Sequence, residues 1–244
     1  MKKESLRLKR SRERGNVLFL ILIAVALFAA LSYAVTSSSR SGGGDANDEN
    51  ALVNSASLTQ YPAAVRTAIV RQLVSKGVSA EELAFNKPPY DDLDTATTAV
   101  PAAVFHPQGG GSVYSPSSAD VMADGEPGDW YFNANFRLEQ IGLDANNDII
   151  AFLPEIKKSI CEKINSELGI GAPLTVNANL MTDIKADMVD DDSDIATAPD
   201  NYAATGGTLI TDGATPNGLA GFPYGCFING TGGEYVYFHV LVEQ

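Results

Sequence analysis

The sequence predicts an α+β protein in which an N-terminal transmembrane helix is followed by helices packed on an antiparallel β-sheet. Three observations carry this reading. Residues 16–35 contain no charged side chain and are dominated by Leu, Ile, Val, Phe and Ala. Leu58, Tyr61, Val65, Ile69 and Leu73 recur at spacings of three and four, which lines them along one face of a helix. Trp130, Phe132, Ala134, Phe136 and Leu138 alternate with Tyr131, Asn133, Asn135, Arg137 and Glu139, the period of a half-buried strand.

Charge separates the first segment from the rest. Before Gly15 seven Lys or Arg stand against Glu4 and Glu13, a net of +5, whereas ten Lys or Arg against 28 Asp or Glu leave the remainder at −18. A basic head, an apolar run and an acidic body is the pattern of a single-pass protein whose N-terminus stays in the cytoplasm. Residues 1–15 then form a basic cytoplasmic leader, 16–36 the transmembrane helix, 37–47 a flexible linker and 48–244 an extracytoplasmic domain. At 1.5 Å rise per residue, about 20 helical residues match a hydrocarbon layer roughly 30 Å thick. A secretory signal with Ser32-Tyr33-Ala34 as its cleavage site is the alternative. The acidic body would repel phosphate, which argues against nucleic-acid binding.

After the apolar run, Thr36 to Gly44 has the small polar side chains and glycines of a linker. Asp48 and Glu49 suit the first turn of a new helix, where negative charge meets the helix dipole. Pro62 predicts a break, with one helix ending near Gln60 and another starting at Pro62, and Arg71 points away from the apolar stripe. Gly77 ends that helix, and Ser79-Ala80-Glu81-Glu82 reads as a capping box. Pro88 to Gly128 is rich in Pro, Gly, Ser and Asp and reads as loop. Its Gly109-Gly110-Gly111 lacks the Lys-Ser/Thr partner and strand-to-helix frame of a phosphate loop.

Beyond the alternating strand, Ile149 to Phe152 suggests a shorter one. A helix opens at Leu153-Pro154 and closes at Gly169, with Ile156, Ile160, Cys161, Ile164 and Leu168 inward and Lys158, Glu162 and Asn165 outward. The C-terminus reads as a hairpin, Tyr224 to Ile228 and Glu234 to Val242, with Val236, Phe238, Val240 and Val242 on the inner face. In an oxidising compartment Cys161 and Cys226 read as a disulfide closing a loop of about 66 residues, which contributes on the order of 4 kcal/mol by chain entropy; two buried thiols are the alternative.

Candidate chemistry is sparse. His106 precedes a proline in a loop, and His239 falls on the expected outer face of the last strand beside Tyr237; neither has a Ser or Cys nucleophile in a recognisable setting, so no catalytic residue is assigned. Asp144, Asn146 and Asp148 sit at alternate positions, as oxygen ligands that wrap calcium do, although the glycine and terminal Glu of a full EF-hand loop are missing. Asp187, Asp190, Asp191, Asp192 and Asp194 form a second acidic cluster. Solvated loops account for both. Asn229-Gly230-Thr231 matches a glycosylation sequon that the hairpin turn explains fully.

Arg12-Glu13-Arg14-Gly15 followed by Asn16-Val17-Leu18-Phe19-Leu20 resembles the prepilin (class III) leader of type IV pilins and type II secretion pseudopilins. The same "RGNV" start is similar to that of envelope proteins linked to tight-adherence pili. The resemblance covers about 35 residues, and it implies cleavage after Gly15, a mature chain starting at Asn16, and an apolar helix that anchors the subunit and then packs among other subunits. The fifth residue after the cut, usually Glu in that family, is Leu20 here, as it is allowed to be in a minor subunit with nothing ahead of it at a filament tip. The expectation is therefore a minor pilin-like or pseudopilin-like component of a bacterial inner membrane, with a prepilin peptidase and other pilin-like envelope proteins as partners. The alternative is a membrane-anchored periplasmic binding or scaffold module.

Overall fold

The computed structural model describes residues 15–90, 93, 99–143, 145–176, 180–189, 202–213, 218–230 and 232–244, with the side chains of 15–17, 35 and 37–48 outside the description. The chain divides into two units, one ending at Glu49 and one running from Asn50 to Gln244.

Helix α1 spans Gly15–Ser75. The linker expected over 37–47 is helical in backbone, and so is the expected break at Pro62. Pro62 has no N–H to offer the carbonyl one turn back, but its ring is buried against the domain, and the apolar stripe on either side of it holds the helix. Gly42, Gly43 and Gly44 each cost a helix about 1 kcal/mol relative to Ala. Among the described residues no helix is long and apolar enough to cross a membrane, so the span expected at 16–36 rests on the sequence. Described side chains in that run are those of Leu18 to Ala34 and Thr36.

The second unit is α+β. A 3₁₀ turn covers Ala80–Glu82, where the Glu82 carboxylate accepts bonds from the Ser79 N–H (2.7 Å) and hydroxyl (2.9 Å), as the capping-box pattern predicts. Then follow α2 (Ala99–Ala102), β1 (Tyr131–Arg137), β2 (Asp148–Leu153), α3 (Lys158–Leu168), β3 (Leu174–Thr175), α4 (Met181–Ile184), β4 (Thr208–Leu209), β5 (Tyr224–Ile228) and β6 (Tyr235–Val242). The sheet order is β3-β5-β6-β2-β1-β4. Its four central strands are antiparallel, but the two-residue strands β3 and β4 pair parallel at the edges, so the sheet is mixed and not purely antiparallel. Both edge strands belong to irregular segments that no sequence period marks.

Both faces of the sheet are covered. One carries Trp130, Phe132, Ile149, Leu153, Tyr237 and Leu241 against Leu58, Val65 and Ile69 of α1 and Ile160, Cys161 and Ile164 of α3. The other carries Phe136, Ile150, Phe152, Phe227, Phe238 and Val240 against Val176, Leu180, Ile184, Ile210 and Leu219. In β1 the pairing shifts by one residue between Asn133↔Ile150 and Phe136↔Asp148. That bulge turns the strand over: Trp130, Phe132 and Ala134 face α1, while Phe136 and Leu138 face the opposite layer. One alternating sequence thus serves two cores.

Helix α3 starts at Lys158 and not at Pro154, because Glu155 adopts φ 64° and Ile156 bridges to Met122. Gly169, at φ 77°, ends it as expected, in a left-handed conformation that a side chain would strain. Cys161 and Cys226 are bonded, with Cα atoms 5.5 Å apart and a sequence separation of 65. Asn165 corrects the expected outward side of this helix. It is fully buried, its Oδ1 accepting the Cys226 N–H (2.9 Å) and its Nδ2 donating to the Cys226 carbonyl (2.8 Å). Asn133, expected on a wet face, is likewise buried and donates to the carbonyls of Asp183 and Ile184.

Candidate functional site

Two stretches of α1 present surface for function, each described within its own unit. From Leu18 to Tyr33 every described side chain is exposed, and the large apolar ones expose 40–78% of their surface. They occupy all sides of the helix. A helix apolar all round with no cover of its own calls for a lipid or protein environment.

In the second unit α1 buries Leu58, Val65, Ala68 and Ile69 and turns Val53, Gln60, Ala64, Thr67, Val70 and Val74 outward. Arg71 of α1 and Lys76, just past its end, are spent on the loop that carries the glycine triplet. Arg71 donates to the Gly110 carbonyl, and Lys76 Nζ donates to the carbonyls of Gln108 (2.5 Å) and Gly109 (2.6 Å). Between them the buried Gln72 donates to the Pro101 carbonyl (2.9 Å), and its Oε1 has no partner. A Cβ at Gly109 would lie 1.9 Å from the Ala103 carbonyl oxygen, so glycine is required for this approach. The triplet's amides donate to the carbonyls of His106 and Ala103, so the loop offers no amide cradle for phosphate.

Past that loop the chain runs extended and outside the sheet from Gly111 to Ser118, alongside α1. Two hollows of about 160 and about 490 Å³ open between them, and Tyr61 and Ser115 line both. The Tyr61 ring lies 5.2 Å from that of Trp130, and its hydroxyl accepts the Ser115 N–H at 3.3 Å. Burial pushes the Tyr61 phenol up to about 12, against the Ser115 amide that favours the phenolate, so the hydroxyl keeps its proton. No carboxylate lines either hollow, and Arg71 is the one charged residue among their walls. Sequence reading missed this groove, because Ser112, Ser115, Ser117 and Ser118 look like ordinary loop composition.

The residues singled out from sequence do not converge. Gly15 begins α1, and the side chain of Asn16 lies outside the description. Asp144 lies outside the described residues. Asn146 forms an isolated bridge with Thr205. Asp148 is fully buried, one oxygen accepting the Leu138 N–H (3.3 Å) and the other the Gln244 N–H (3.3 Å). Burial raises its pKa to about 6 despite those two amides. Asp187 pairs with Lys87 at 2.7 Å and accepts the Phe132 N–H, while Asp190, Asp191, Asp192 and Asp194 lie outside the described residues. Among the described residues no group of His, Cys, Asp and Glu is placed to hold a metal ion.

The histidines are held structurally. His106 packs edge-on against Tyr90, and its Nδ1 accepts the Gln108 N–H. His239, expected on an outer face, is buried: its Nδ1 lies 2.9 Å from the Tyr237 hydroxyl, and its ring stacks on Tyr224. Burial, with Arg66 nearby, lowers its pKa to about 4. The correction follows from the two-sided sheet, whose supposed outer face lies against α1. Asn229 of the sequon is also buried, accepting the Leu180 N–H and donating to Glu234. Comparison with known protein families, curated proteins and solved structures finds no match to this chain.

Proposed function

We propose that this chain is a minor pilin-like or pseudopilin-like assembly component of a bacterial envelope filament or secretion system, acting by association and not by catalysis. The observation that carries the reading is the composition of α1. One helix, Gly15–Ser75, is apolar on every side over its described first stretch and one-sided where it enters the core of the second unit. The first stretch suits lipid or a bundle of neighbouring helices, and the second builds a folded domain onto the same element. The apolar run extends beyond its described side chains to Asn16 and Val35, long enough to span a bilayer as a helix. Its basic flank supports an N-terminus in the cytoplasm and an acidic domain outside the inner membrane. The Cys161–Cys226 bond fits an oxidising compartment.

The experiment is the intact mass and N-terminal residue of the protein recovered from membranes, for the native chain and for Gly15→Ala. A mature chain starting at Asn16, with the variant left unprocessed, supports the reading. Retention of Met1 in the native chain would leave a plain membrane anchor, and normal processing of Gly15→Ala would remove the leader altogether. The second reading, an anchored periplasmic binding module, is favoured by the groove between α1 and Gly111–Ser118.

A further inference from the structure

We propose that the groove between α1 and the extended segment Gly111–Ser118 binds a neutral saccharide chain of at least two sugar units, with one sugar face against Tyr61 and its hydroxyls paired to those of the groove walls. Both walls of the groove carry unspent hydrogen-bonding capacity. Ser57 and Ser112 line the hollows, and among the described residues neither hydroxyl is hydrogen-bonded to another protein group, Ser57 being exposed. The Ser118 and Tyr61 oxygens accept backbone N–H groups of Asp120 and Ser115, which leaves each O–H to donate outward. Thr67 donates to the Ala63 carbonyl at 2.9 Å and keeps acceptor capacity. Donors and acceptors of one chemical kind therefore stand on both walls, as a polyol requires.

Shape and charge narrow the ligand. The larger hollow lies within the range of about 300–1,000 Å³ usual for small-molecule sites, and it shares Tyr61 and Ser115 with the smaller one, so two compartments adjoin across the Tyr61–Ser115 hydrogen bond. Ala64, Ala68 and Val113 supply apolar wall between the hydroxyls, suited to the C–H faces of a sugar ring. A purely apolar ligand would strand the hydroxyls without water or partner. A hard cation lacks carboxylates here. An anionic ligand meets one guanidinium already tied to Gly110, on a body of net charge −18. A neutral, hydroxyl-bearing chain with apolar faces is what remains.

Trp130 is the protein's single tryptophan; it lines the smaller hollow and packs on Tyr61, so its emission reports occupancy directly. The full chain, in phosphatidylcholine nanodiscs free of sugar detergent, is titrated with maltotriose and with tri-N-acetylchitotriose while fluorescence and heat are recorded. Saturable binding of at least one trisaccharide is expected, weakened ten-fold or more in Thr67→Glu, an exposed change that leaves the melting curve in place. Tyr61→Ala should abolish it. No saturable response up to about 10 mM, ten times the 1 mM scale of weak binding, overturns the proposal. A response unchanged in both variants overturns it too. So does shielding of a Thr67→Cys thiol by neighbouring protein in native membranes without any saccharide response, which would make the groove a protein interface.

Discussion

The two stretches of α1 use similar apolar residues to opposite ends. Between Leu18 and Tyr33 apolar side chains point in every direction and all are exposed; between Leu58 and Leu73 they recur every three or four residues and disappear into the core. Composition alone does not separate them. Angular distribution does, because a one-sided stripe can be satisfied by the chain's own sheet, whereas an apolar cylinder needs cover from outside.

Charge substitutions break that comparison most directly. Ile69→Asp places an unpaired carboxylate at a fully buried site beside the sheet and should cost about 4 kcal/mol or more, enough to unfold the second unit by circular dichroism. Ile23→Asp should leave the melting of that unit within about 0.5 kcal/mol of the parent while sharply reducing flotation with lipid vesicles. Equal losses of fold in both variants would mean that the first stretch is also core.

The disulfide sharpens the same contrast, because it lies wholly in the second unit. Cys226→Ala should lower stability by about 2–5 kcal/mol in denaturant titrations under oxidising conditions and bring the protein to the level of the reduced parent, with no change in vesicle flotation.

A smaller effect concerns pH, again confined to the second unit. His239 is held neutral with its pKa lowered to about 4, so the stability this brings is present above about 6.5 and is lost as pH falls towards 4. Asp148, raised to about 6 by burial, acts in reverse: its contribution is full below its ordinary value and is lost as pH rises through 6. Between pH 4 and 6 the two slopes, each about 1.4 kcal/mol per pH unit, oppose one another. Asp148→Asn should therefore steepen the acid loss of stability, measured by urea midpoints at pH 6, 5 and 4, and His239→Gln should reverse its sign.

Much of this fold was legible where a local period or a stop residue acts alone. The stripe on α1, the capping box at Ser79, the glycine stop at Gly169, the C-terminal hairpin and the cysteine pair all belong to that group. The failures share a physical cause, which is that tertiary contacts overrode the local signal. Pro62 reads as a break but stays helical where its ring is buried in the second unit. Asn133 and Asn165 read as solvated because they are polar, yet Asn133 donates to the last carbonyls of α4 and Asn165 pairs with both backbone groups of Cys226. The β1 bulge leaves alternation intact while exchanging the faces, so no pattern of apolar and polar residues could reveal it. The groove was invisible for a related reason: its serines become a set only when α1 and Gly111–Ser118 lie side by side.

The covalent bond between α3 and β5 also has a mechanical meaning. Across a sequence separation of 65 it encloses β3, α4 and β4 in a closed loop. A tensile load applied through α1 and the C-terminal strand would bypass that segment, whose extended contour would otherwise be about 220 Å. Any yielding of the domain under load must then begin elsewhere, in the pairing of β6 with β2 or in the grip of α1 on the sheet, while the enclosed loop stays slack.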